Sequence, residues 1–124
     1  MSKHVLDVGN CGMDHSAIRR LLESHLGATV TQADSAAEAL SAARRGDVDL
    51  LLVNRRFDRD GDDGLELIRS LKADPDLQHI PVMLLSNYLE YQQEAERAGA
   101  LAGFGKAALG EPATLDRLRQ ALQP

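Results

Sequence analysis

A three-layer α/β fold, one parallel sheet with helices on both faces, is predicted for this 124-residue chain by three observations. Short apolar runs recur five times, each is followed by a stretch of helical periodicity, and the runs are apolar without strict alternation. Strands covered on both faces read in that way.

The runs are HVLDV, ATVTQA, DLLLVN, IPVMLLS and LAGFG, taken in order as the five strands. After the first, Ile18, Leu21, Leu22 and Leu26 form a stripe at helical spacing; after the second, Ala36, Ala39, Leu40 and Ala43 form a thinner one. Ser35 with Glu38 three residues on predicts a capping box at the start of that second helix. Leu65, Ile68 and Leu71 mark the third helix, which ends before Asp74-Pro75 because the residue preceding a proline is pushed out of the α region. The fourth helix, roughly Leu89 to Ala98, has the poorest apolar stripe, and Gly99 is placed to end it. Pro112 suits the first turn of the fifth, whose stripe is Leu115, Leu118 and Leu122. No linker or repeat interrupts the series, so a single domain is expected over residues 1–124.

Composition narrows the function classes. With aromatics at 3% and hydrophobic residues at 44%, the core must be built from Leu, Val, Ile and Ala. A net charge of -5 argues against a nucleic-acid surface, which needs clustered Lys and Arg. Neither a basic amphipathic helix nor a long apolar run points to a membrane, and the lone Cys11 has no partner within the chain for a disulfide. The expected location is the cytoplasm, and the expected state a monomer or weak homodimer.

In an open parallel sheet the ligand binds beyond the carboxyl ends of the strands, where strand order reverses. The residues that end the runs are therefore the candidate site: Gly9, Asn10, Asn54, Ser86, Asn87 and Lys106.

The segments GLELIRSLK after Asp63-Gly64, IPVMLLSN, the AGA at Ala98 to Ala100, and GFGK resemble, in order and spacing, the receiver domain of two-component response regulators. The resemblance covers the whole chain. It implies a flavodoxin-like (βα)5 fold with strand order 2-1-3-4-5 and a non-enzymatic role in phosphorelay signalling. In that family the first strand ends in a metal-binding acidic pair and the third in a phospho-accepting Asp. The fourth ends in Thr or Ser, and the fifth in Lys-Pro. The resemblance places Gly9 and Asn10 at the acidic pair and Asn54 at the acceptor, so the chain is expected to be a degenerate member. Ser86 and Lys106 keep the family's hydroxyl and ammonium. Ala107 replaces the usual proline, and Gly103 stands where a rotating aromatic switch residue is common; Phe104 is assigned to the core.

These replacements matter chemically. An acyl phosphate needs an ionised carboxylate as nucleophile and magnesium to neutralise the moving phosphoryl group. A carboxamide supplies no anion, and magnesium is held mainly by carboxylates. No cofactor is expected, with magnesium binding lost or weak.

Asn54 reads either as a strand-end polar residue satisfied by backbone or as a donor to a neutral ligand. Lys106, having lost its acidic surroundings, is expected to swing to solvent or pair with a nearby acid such as Asp58. Ser86 reads equally as a turn residue or an anion ligand. Asp7 interrupts a strand that should be buried; a shift of one or two residues would carry it toward the acidic-pair position, and in either register it must find a partner or a proton.

Asp58, Asp60 and Asp62 imitate a calcium loop, but Asp63 and Arg69 stand where that loop needs Gly and Glu, so a solvated acidic turn is expected. Cys11, near Asp14 and His15, is read as a small half-buried residue. Tyr88 and Tyr91 with Gln92 and Lys106 form the expected interaction surface, on the face where the family docks partners, although tyrosines filling against the sheet would be equally ordinary.

The leading expectation is thus a phosphorylation-independent interaction module whose partner is a kinase, an effector or another receiver. Its rivals are a small-ligand or anion sensor using the vacated pocket, and a phosphorelay receiver with an unusual acceptor such as Asp58.

Overall fold

A computed structural model describes residues 2–123. Five strands, β1 (His4–Val8), β2 (Thr29–Ala33), β3 (Leu50–Asn54), β4 (Val82–Leu85) and β5 (Leu101–Phe104), alternate with five helices, α1 (Gly12–Leu26), α2 (Ala36–Arg44), α3 (Gly64–Ala73), α4 (Leu89–Arg97) and α5 (Pro112–Leu122). A short 3-10 turn, Lys106–Ala108, precedes α5. The sheet is parallel in the order β2-β1-β3-β4-β5, the expected topology.

Two cores follow from strand alternation. Leu6, Val8, Leu51, Val53, Val82 and Leu84 point to one face and pack with Ala39, Leu65, Ile68, Leu71 and Ala95 from α2, α3 and α4. Val5, Leu50, Leu52, Met83, Leu85 and Phe104 point to the other and meet Ile18, Leu22, Leu118 and Leu122 from α1 and α5. Burial of apolar side chains on both faces accounts for the unalternating runs. Phe104 is core, as expected.

The helix boundaries have local causes. The Ser35 hydroxyl accepts from the amide of Glu38, and the Glu38 carboxylate reaches back one residue further than a capping box predicts, to the amide of Asp34. Asp63 caps α3 by accepting from the Leu65 amide. Gly99, at φ 112°, reverses the chain after α4, whose only fully buried residue is Ala95.

The order of strands reverses between β1 and β3, so their carboxyl ends open a crevice flanked by the β4–α4 and β5–α5 connections.

Candidate functional site at the carboxyl edge of the sheet

β1 ends at Val8, and Gly9 and Asn10 follow it directly. Gly9 has φ 83°, which favours glycine, and a Cβ there would lie 2.2 Å from the Phe57 ring. Phe57 is buried and packs up to the Gly9 backbone from the loop after β3. The acidic turn at Asp58, Asp60 and Asp62 is exposed, as expected, while Phe57 at its start anchors the loop to the domain.

Asp7 stays inside β1, paired in register with Gln32 of β2 and Leu52 of β3, and its side chain is completely buried. It finds partners rather than a shifted register. The Asn10 Nδ2 donates to its Oδ1 at 2.5 Å, and His15 Nδ1 lies 2.8 Å from its Oδ2. His15 stands one turn ahead of Ile18 and two ahead of Leu22, the buried residues of α1. Burial pushes the Asp7 carboxyl above its ordinary range, and the hydrogen bonds from His15 and Asn10 oppose that rise. Asn10 Oδ1 is buried without a partner.

Asn54 ends β3, and its Nδ2 donates to the carbonyls of Arg56 at 2.6 Å and Gly9 at 3.4 Å. The carboxamide bridges the two strand ends through backbone, the first of the two readings of this residue. Ser86 behaves as a turn residue: its hydroxyl accepts from the Tyr88 amide. The Asn87 carbonyl oxygen accepts from the Ala107 amide, tying the β4–α4 loop to the one after β5.

Lys106 pairs with an acid, but with Asp14 rather than Asp58. Its Nζ lies 2.7 Å from Asp14 Oδ2, and the bond draws the Asp14 carboxyl below its ordinary range. The first turn of α1 lies on the same face as the β5–α5 connection, which brings Asp14 within reach. Asp58, by contrast, belongs to an exposed turn and has its amide bound to the Gly9 carbonyl.

The expected interaction surface also needs correcting at Gln92. Its Nε2 donates to the carbonyls of Leu84 at 2.8 Å and Ser86 at 3.1 Å, and its Oε1 accepts from the Gly103 amide at 3.1 Å. The side chain therefore faces the sheet and clamps α4 to β4 and β5. Gly103 makes room for it: a Cβ there would lie 2.2 Å from the Leu84 carbonyl oxygen and 2.9 Å from Gln92 Oε1. Tyr91 is half-buried against the α3–α4 core, whereas Tyr88 and Leu89 are exposed.

Between these elements lies a cleft of about 310 Å³ lined by Asn54, Arg55, Arg56, Ser86, Asn87, Tyr88, Tyr91 and Lys106, with Leu85 at its base. The Arg55 guanidinium lies 4.3 Å from the centre of the Tyr91 ring, a cation–π distance. Neither Arg55 nor Phe57 was singled out from the sequence.

The donors at the ends of β1 and β3 do not fit magnesium. Asn10 and Asn54 present carboxamides, Gly9 has no side chain, and the Asp7 carboxylate is bound inside the domain by Asn10 and His15. Among the described residues no group of three or more His, Cys, Asp or Glu could hold a metal ion, and no helix is long and apolar enough to cross a membrane.

The family model described as the response regulator receiver domain matches residues 13–123, beginning just beyond Gly9 and Asn10. The chemotaxis protein CheY-3 of Vibrio cholerae is 31% identical over 91 residues, covering 70% of this chain and 68% of that protein. A chemotaxis protein CheY of Pseudomonas aeruginosa is 32% identical over 91 residues, covering 70% and 72%. Among solved structures, a response regulator from Thermotoga maritima superposes with a TM-score of 0.79 at 25% identity, covering 98% of each chain. The signal receiver domain of a DNA-binding response regulator from Colwellia psychrerythraea gives 0.82 at 17% identity, covering 99% of this chain and 100% of that one, which bears on fold alone. With the fold, the strand order and these matches in agreement, the chain belongs to the response regulator receiver family, the signalling domain of two-component systems.

Proposed function

We propose that this receiver signals without phospho-aspartate chemistry, in the cytoplasm, by binding a protein partner: a kinase, an effector or another receiver. The observation that carries this reading is the state of Asn54. It stands at the end of β3, where the resemblance to the family places the acceptor, its carboxamide is no nucleophile, and its amide is spent on the Arg56 and Gly9 carbonyls. Two further features support it. Lys106 is drawn to Asp14 on α1. Gln92 holds α4 against β4 and β5 where a switching receiver would need those elements to move.

A domain built in this way offers its surface to a partner without a covalent switch. The exposed Tyr88 and Leu89 at the start of α4 supply apolar contact area for such a partner.

The test is incubation with magnesium and acetyl phosphate followed by intact-mass measurement. An unchanged mass is expected. A labile phosphate adduct on Asp58 or any other residue would overturn the reading.

A further inference from the structure

The cleft beside α4 holds a guanidinium that is paired in charge but short of hydrogen-bond acceptors. Arg55 is only 23% exposed, its Nε is buried without a partner, and its one acidic neighbour, Asp63, lies 3.6 Å away, too far for a hydrogen bond. The guanidinium carbon lies over the Tyr91 ring and the residue lines the cleft, and the planar fork of an arginine is suited to paired oxygens. Exposed arginines satisfy such donors with water. A buried Nε lacks that recourse, and leaving it unanswered is costly.

The surroundings suit an anion. Arg56 joins Arg55 in the lining, as does Lys106, whose ammonium is held by Asp14, and none of the lining residues is a carboxylate, in a chain whose net charge is -5. The Ser86 hydroxyl accepts from Tyr88 and keeps its own proton to donate. Asn87 uses its oxygen on Ala107, which leaves its amide group as a donor. Helix α4 begins at Leu89 without a side-chain cap, so its positive end also faces this space.

From this we infer that the cleft is a reversible binding site for a small oxyanion of the phosphate or carboxylate class, with the Arg55 fork as the main contact and Arg56, Ser86 and Asn87 completing it. No covalent step is involved. A bound anion would bridge β3, the β4–α4 loop and the start of α4, and so rigidify the surface around Tyr88.

Two probes at constant ionic strength test this, inorganic phosphate and succinate, with chloride as the control. A saturable rise in Tm of about 5 °C at about ten times the Kd is expected for at least one probe. Amide shifts in a heteronuclear spectrum should be confined to residues 54–56, 86–91 and 106. Arg55→Met, which keeps the stem over Tyr91, should abolish the response, and Arg56→Gln should weaken it while leaving the spectrum folded. The relative response to the two probes separates phosphate from carboxylate. The inference is overturned if neither probe gives a saturable shift, or if the shift survives undiminished in both variants. Intact mass recorded on the same samples keeps the two ideas apart, since a mass gain counts against the phosphorylation-independent reading and a missing thermal response counts against the oxyanion site.

Discussion

Two polar regions share the carboxyl edge of this sheet and resolve their charge in opposite ways. The Asp7 carboxylate is closed in: buried in β1, both its oxygens are answered from within by Asn10 and His15, and only the Asn10 Oδ1 beside it lacks a partner. The Arg55 cleft is open, with a half-buried guanidinium left short of hydrogen-bond acceptors. Internal satisfaction fixes structure, whereas an unmet donor invites a ligand. On the β1 side a carboxylate lies inside the core, and around β3 and α4 the lining is cationic.

The comparison can be broken most severely at His15. His15→Ala removes one of the two groups facing Asp7 and should cost about 3 kcal/mol or more in urea unfolding, because a buried carboxylate then lacks half its compensation. A loss below about 1 kcal/mol would mean that the cluster is not closed as described. Gly103→Ala comes next. Its Cβ would meet the Leu84 carbonyl and the Gln92 amide, so a loss of about 1–3 kcal/mol is expected, with exchange-broadened signals in α4 as the clamp loosens.

A pH titration sharpens the contrast further. Asp7 has a raised carboxyl pKa in the folded state, so the folded chain holds that proton more tightly than the unfolded chain does. Its contribution to stability must therefore fall as pH rises from the ordinary value near 3.8 through the raised one, and level off beyond it. Other groups in contact with it are His15, Asn10 and, at longer range, Lys106. Asp7→Asn should remove this descending component and leave the fold intact at neutral pH, since a carboxamide can still accept from Asn10. A variant with the same pH dependence as the parent would show that Asp7 is not its source.

The smallest effect is expected at Lys106. Each partner of the Lys106–Asp14 pair is 37% exposed, so Lys106→Met should cost at most about 1 kcal/mol, and less at high salt. The depressed Asp14 pKa gives stability that is present above its ordinary value and lost as pH falls through the lowered one. The variant should lack that acid-side loss.

The sequence revealed the scaffold and concealed much of the site. Runs such as LLLV and VMLL announce strands because burial on both faces leaves no room for polar alternation, and Pro112 and Gly99 mark helix ends by local backbone chemistry. The strand-end residues were legible for the same reason. What escaped were pairings made only by folding: Lys106 with Asp14 across 92 positions, Arg55 with Tyr91, and Gln92 with Gly103. The His15–Asp7 contact is closer in sequence, at eight residues, yet it requires a strand residue and a helix residue to face the same core. Gln92 misled because an amide in a polar helix reads as surface until the missing side chain of Gly103 admits it to the sheet.

The packing of Phe57 against Gly9 also bears on what position 9 can accept. Any side chain there meets that ring and an unfavourable φ together, so a carboxylate cannot be installed by one substitution. Phe57 would have to give way first, and it is a fully buried core residue whose loss on its own is a burden. A side chain at position 9 therefore costs stability twice, at the Phe57 ring and at its own backbone, before it could do any chemistry there.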